Sequence, residues 1–114
     1  MTFDNSLLNQ VLGSVVKGNL EAEGVEFEEG VFMPMSSDFG NLSQRLPSYW
    51  FMLKTHRSNL NWHSEDVARE TVSDLAHSAM LTGAKVLAMS CIDLFVSPDL
   101  VQSAREEFER SQQK

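Results

Sequence analysis

A chain of 114 residues and 12.8 kDa, 42% of them hydrophobic, has the size and apolar content of a single domain spanning residues 1–114, which excludes a two-domain reading. Nine Lys and Arg against sixteen Asp and Glu give a net charge of −7 and a pI near 4.8, so nucleic acid is not an expected partner, because phosphate contacts need clustered cations. A single Cys excludes an internal disulfide, no basic stretch leads into an apolar run at the N-terminus, and no uninterrupted apolar window reaches bilayer length. The expectation is a soluble, cytoplasmic protein without a membrane partner.

The first element is an amphipathic helix. Leu7, Leu8, Val11, Leu12, Val15, Val16 and Leu20 recur at the spacing that lays one apolar stripe along a 3.6-residue turn. Asp4, Asn5 and Ser6 are available to cap it, and Gly24 is placed to end it in a left-handed conformation. An acidic connection from Glu26 follows, and Gly30 separates it from a short expected strand, Val31–Met33. Residues 36–43 are small, polar and turn-forming, as expected of a functional loop. Tyr49–Leu53 reads as a strand buried on both faces.

Beyond an irregular polar stretch, Ser64-Glu65-Asp66 announces a short helix through Arg69. From Ser73 to Val96 apolar residues cover most of a helix circumference, with Cys91 expected to be a small buried hydrophobe among them. Ser97-Pro98-Asp99 then restarts a last helix, about Pro98 to Arg110, that buries Leu100, Val101, Ala104 and Phe108.

Generic enzyme motifs are lacking: there is no Gly-rich phosphate loop, no nucleophile elbow, and no pair of His at ligand spacing on one helix face. His56 and His77 read as surface or capping residues. His63 ends an irregular loop behind the large anchor Trp62, which can aim its ring at a cleft. Asp38, after two serines, either caps the turn at Phe39-Gly40-Asn41 or contributes a carboxylate to a site.

Taken together and in order, Met35-Ser36-Ser37-Asp38-Phe39-Gly40-Asn41-Leu42-Ser43, Leu46-Pro47-Ser48, Asn61-Trp62-His63-Ser64 and Lys85-Val86-Leu87-Ala88-Met89 resemble the closing portion of M20-family metallopeptidases, in their amidohydrolase and dipeptidase-like branch. The likeness runs from about Asn5 to Glu109. It implies the C-terminal third of an α/β catalytic domain, a partial three-layer sheet-and-helix fold that is rich in helix and has few short strands. It also implies a two-zinc site hydrolysing a small peptide or amide, with His63 as a metal ligand and Asp38, Gly40 and Asn41 on the floor near the substrate. The family's other metal ligands and its general-base Glu precede the region matched here, so the chain is expected to bind no zinc stably and to be inactive alone. Trp50 and Trp62 depart from the residues relatives favour there. The alternative is a small non-catalytic interaction domain derived from that fold. On either reading the long apolar helix is expected to leave a surface for self-association.

Overall fold

Five helices follow one another along the chain, and the chemistry at their ends fixes where each begins. A computed structural model describes residues 2–30, 36–57 and 59–114. Helix α1 spans Gln10–Ala22, α2 Phe39–Ser43, α3 Glu65–Glu70, α4 Asp74–Val96 and α5 Pro98–Gln112.

Helix α1 starts after Asn9, later than the Asp4-Asn5-Ser6 cluster would place it, because Asn9 meets three demands at once. Its Oδ1 accepts from the Leu12 N–H at 3.0 Å, its Nδ2 donates to the Ala104 carbonyl at 2.8 Å, and its own N–H donates to the Ser48 carbonyl at 2.8 Å. Glu107 of α5 takes the next two amides: Oε1 accepts from Gln10 at 2.8 Å and Oε2 from Val11 at 3.0 Å. A carboxylate in this position satisfies orphan donors and sits at the positive end of the helix dipole. Leu7 and Leu8 are therefore left outside the helix. At the other end Gly24 adopts φ +71°, the left-handed stop expected of it.

The later caps follow the sequence closely. Ser64 Oγ accepts from Val67 at 3.3 Å and Ser73 Oγ from Ala76 at 3.1 Å, while Pro98 opens α5. Helix α1 packs on both α4 and α5. Val16 and Leu20 of α1 meet Val86 of α4, and Val25, Phe27, Tyr49, Phe51 and Leu53 close around them. Asn19, buried in the α1–α4 contact, donates to Ser90 Oγ at 3.0 Å and Asp93 Oδ2 at 2.8 Å. Gly13 is needed because the Tyr49 ring lies 2.6 Å from where a Cβ would be.

The α/β expectation is overturned: the fold is all-helical, with no strand and no sheet among the described residues. Tyr49, Phe51 and Leu53 pack on the core while Met52 is exposed, which is the alternation of a strand. A strand also needs a ladder partner for its backbone groups, and no described segment supplies one. The expected strand Val31–Met33 lies outside the described residues. Part of the loop expected at 36–43 is helical instead, as α2. Val101 is exposed, whereas Ala104 is buried and Leu100 and Phe108 are half-buried. Cys91, expected inside, is exposed, because only one side of the apolar helix α4 is covered.

Helix α4 has a mean hydropathy of 1.6 in its most apolar stretch, of which 11% is buried, and by length and composition it is able to cross a membrane, contrary to the sequence reading. Two of its charges are matched within the protein: Lys85 lies 3.4 Å from Glu23, and Asp93 accepts from Asn19. At a bilayer centre a charged side chain costs about 2.5–3.5 kcal/mol. The molecule is a slab of 43 × 35 × 21 Å with a radius of gyration of 15.8 Å, where a compact chain of this length has about 13 Å.

Replacing Asn9 by Ala removes the cap and leaves the Ala104 and Ser48 region without its anchor. Urea unfolding followed by helical circular dichroism is expected to show a loss of about 2 kcal/mol. Glu107→Gln, which removes the charge and leaves one of the two helix amides facing an NH2 donor instead of an acceptor, should cost about 1–2 kcal/mol. Changes below about 0.5 kcal/mol in both would mean that this junction does not hold the fold together.

Candidate functional site

The segment Asp38–Ser43 is built around close contact with the N-terminal residues. Asp38 stands at the N-cap of α2, but its side chain makes no capping bond and is exposed; the Phe39 N–H is satisfied instead by Ser37 Oγ at 3.2 Å. Gly40 is buried beneath the Asp4 carbonyl oxygen, which lies 1.8 Å from the position a Cβ would take. Only glycine fits there. Asn41 donates from Nδ2 to the Thr2 carbonyl at 2.9 Å and to Asp4 Oδ2 at 3.1 Å. Its Oδ1 is buried with no hydrogen-bond partner among the described residues, an acceptor left open in a half-buried side chain.

Ser43, fully buried, completes the arrangement. Its Oγ accepts from the Leu7 N–H at 2.9 Å and donates to the Gly40 carbonyl at 2.7 Å. Gln44 Nε2 adds a bond to the Asn5 carbonyl at 2.9 Å. The polar motif therefore has a packing role that accounts for Gly40, Asn41 and Ser43, and leaves the Asp38 carboxylate facing solvent.

His63 sits in a different loop, exposed, with φ +58°. A left-handed backbone is uncommon for a residue with a Cβ and has to be held by its surroundings. On one side Trp62 meets the His56 ring edge-on at 6.1 Å and 82°; on the other Ser64 starts α3. Arg57 fastens the same loop to α3 by donating from Nε and Nη2 to Glu70 Oε1, the Nε bond at 3.1 Å. That hydrogen bond, and then the Glu70 charge, raise the Arg57 pKa. Asn59 in this loop is also left-handed, at φ +74°. His63 itself makes no hydrogen bond or ion pair among the described residues.

Beside this loop lies an open groove of about 430 Å³ walled by Met52, Leu53, Lys54, His56, Arg57 and Trp62. These residues were not legible as a group, because Leu53 and Trp62 are separated by a polar stretch with no recognisable spacing. The groove is apolar along much of its wall, and the Arg57 charge at its edge is matched by Glu70. Among the described residues no three His, Cys, Asp or Glu side chains lie together so as to hold a metal ion. One His does not make a zinc site, so the described residues do not fit a zinc ion by themselves.

Similarity to known proteins bears on the same residues. The chain is 33% identical over 110 residues to Xaa-Arg dipeptidase of Mus musculus, covering 91% of this chain and 25% of that protein. It is 32% identical over 108 residues to Xaa-Arg dipeptidase of Homo sapiens, covering 91% of this chain and 24% of the relative. The chain thus spans about a quarter of the length of the curated relatives it matches. No family model and no solved structure matches.

Gly40→Ala is expected to push the N-terminal segment off α2. The measurement is hydrogen exchange at the Leu7 amide, which should lose its protection while the amides within α4 keep theirs; unchanged protection at Leu7 would contradict the close approach. At position 63, Asn tolerates a left-handed backbone and a β-branched residue does not. Thermal unfolding should find His63→Asn within about 0.5 kcal/mol of the parent and His63→Val lower by about 1–2 kcal/mol.

Proposed function

We propose that this chain corresponds to the C-terminal part of the catalytic domain of an M20-type dipeptidase or amidohydrolase, a zinc-dependent enzyme cleaving the amide bond of a small peptide. In this reading His63 is one of the metal ligands, and Asp38, Gly40 and Asn41 belong to the neighbourhood of the substrate. The observation that carries it is the 33% identity to a dipeptidase through 91% of the chain. The left-handed conformation of His63, exposed at the tip of a loop stapled by Trp62 and Arg57, supports it further, since strain of this kind gathers at functional positions.

The chain on its own is inactive in this reading. A dinuclear zinc site needs several ligands with ordered outer partners, and a general base besides. Among the described residues no three His, Cys, Asp or Glu side chains stand together around a metal position, so no step of the hydrolysis is assigned to this chain.

A non-catalytic interaction domain that keeps these helices is the second reading. It is favoured by the uncovered apolar side of α4.

A chimera separates the two. The matching quarter of the mouse Xaa-Arg dipeptidase is replaced by this chain, and zinc content and release of arginine from Xaa-Arg dipeptides are measured. The catalytic reading expects a folded chimera that binds zinc and turns over, with both lost on His63→Ala, while the isolated chain with added zinc releases nothing. A folded chimera whose zinc content and turnover are indifferent to His63→Ala would sink the ligand role and leave the interaction domain.

A further inference from the structure

Residues 2–8 form no helix, yet their main chain is gripped repeatedly by α2 and the residue that follows it. Asn41 donates to the Thr2 carbonyl, Gln44 donates to the Asn5 carbonyl, and Ser43 accepts from the Leu7 N–H. The Asp4 carbonyl rests on the bare Cα of Gly40. One side chain of the segment is also held, since Asp4 Oδ2 accepts from Asn41 Nδ2 at 3.1 Å. The rest of the segment contributes little to its own attachment: Thr2, Phe3, Asp4, Asn5 and Ser6 are all exposed, Phe3 by 51%. The bonds to Thr2, Asp4 and Asn5 are solvent-exposed as well, so water competes for both partners of each. A segment tied by exposed polar bonds and no buried apolar side chain opens locally long before the core does. It also leaves its seat incomplete. Two acceptors on Nδ2 fix the orientation of the Asn41 amide, and its buried Oδ1 then has no hydrogen-bond partner among the described residues.

We propose that Gly40, Asn41, Ser43 and Gln44 form a peptide-binding seat, on which residues 2–7 lie as a displaceable intramolecular ligand. The ligand class is a non-helical acidic peptide. The seat reads two main-chain carbonyls three residues apart, a main-chain N–H two residues further on, and a carboxylate two residues after the first carbonyl. Side chains at the other positions face solvent and are not read. Glycine at position 40 is what lets a peptide carbonyl come this close, because a Cβ there would lie 1.8 Å from the Asp4 oxygen. The tether keeps the chain's own segment in place, since a linked ligand acts at an effective concentration of about millimolar. A free peptide displaces it by reaching that range, or at lower concentration by bringing the N–H that Asn41 Oδ1 lacks. The inference stands apart from the dipeptidase reading. The chimera decides that reading through zinc and turnover, and displacement of residues 2–7 needs neither.

The test uses the full chain, labelled with nitrogen-15, and an unlabelled, acetylated and amidated peptide with the sequence of residues 2–8. Without peptide, hydrogen exchange at the Leu7 amide is expected to be at least about a hundredfold faster than at the Val86 amide in the core, yet slower than in an unfolded chain. On addition of peptide to about 10 mM, above the effective concentration of the tether, the backbone amides of residues 2–6 should become mobile on the nanosecond scale. The side-chain NH2 signals of Asn41 and Gln44 should shift and stay ordered, because the seat is refilled. Phe3→Ala in the peptide should leave its potency unchanged, since that ring is exposed. Leu7→Pro in the peptide, which removes the N–H that Ser43 accepts, should weaken it by about tenfold. A peptide that moves neither the segment nor the Asn41 and Gln44 signals overturns the proposal. So does equal potency of the Leu7→Pro peptide, which means displacement without recognition, or a Leu7 amide as slow to exchange as that of Val86, which makes the segment a fixed part of the fold.

Discussion

The amino end of helix α1 is where this structure is tied together. Four peptide N–H groups at the start of any helix lack intrahelical partners, and here Asn9 and Glu107 answer three of them, at Leu12, Gln10 and Val11. Asn9 also binds the Ala104 carbonyl and the Ser48 carbonyl. One buried asparagine thus joins the first helix, the last helix and the segment entering the core. With five hydrophobic residues buried among the described ones, and Val86 alone of them fully so, the apolar core is small, and these directional bonds decide how the helices are set against one another.

The same economy shapes the candidate site. Gly40, Asn41 and Ser43 are engaged by residues 2–7, so the motif that resembles a substrate-facing turn is also the seat of the N-terminal segment. The His63 loop is held separately by Trp62 against His56 and by Arg57 against Glu70. Two small polar units are each well fastened to their own supports.

Much of the helical content was legible in the sequence because it depends on local chemistry. Ser64, Ser73 and the Ser97-Pro98 pair mark the starts of α3, α4 and α5, and Gly24 stops α1 as its position suggests. What was not legible depends on distant residues. The start of α1 is set by Glu107, nearly a hundred positions away. Tyr49–Leu53 has the composition of a strand, yet a strand is a property of a pair. Cys91 has the surroundings of a core residue in sequence, yet nothing in one helix says which of its apolar sides will be covered. Of the candidate site, His63 and the turn residues Asp38, Gly40 and Asn41 were singled out in the sequence, whereas the groove between Met52 and Trp62 arises from folding of a loop without periodicity.

The breadth of the slab also has a calorimetric meaning. The molecule exposes 8471 Å², whereas a compact protein of this mass exposes about 6,300 Å². Less apolar surface therefore leaves water when this chain folds than its length would suggest. The heat capacity change of unfolding and the denaturant slope both scale with that surface, so both fall below the usual ~12–15 cal/mol/K per residue and its urea counterpart. A small heat capacity change flattens the stability curve, so cold weakens this fold less than it would weaken a fully packed domain of equal length.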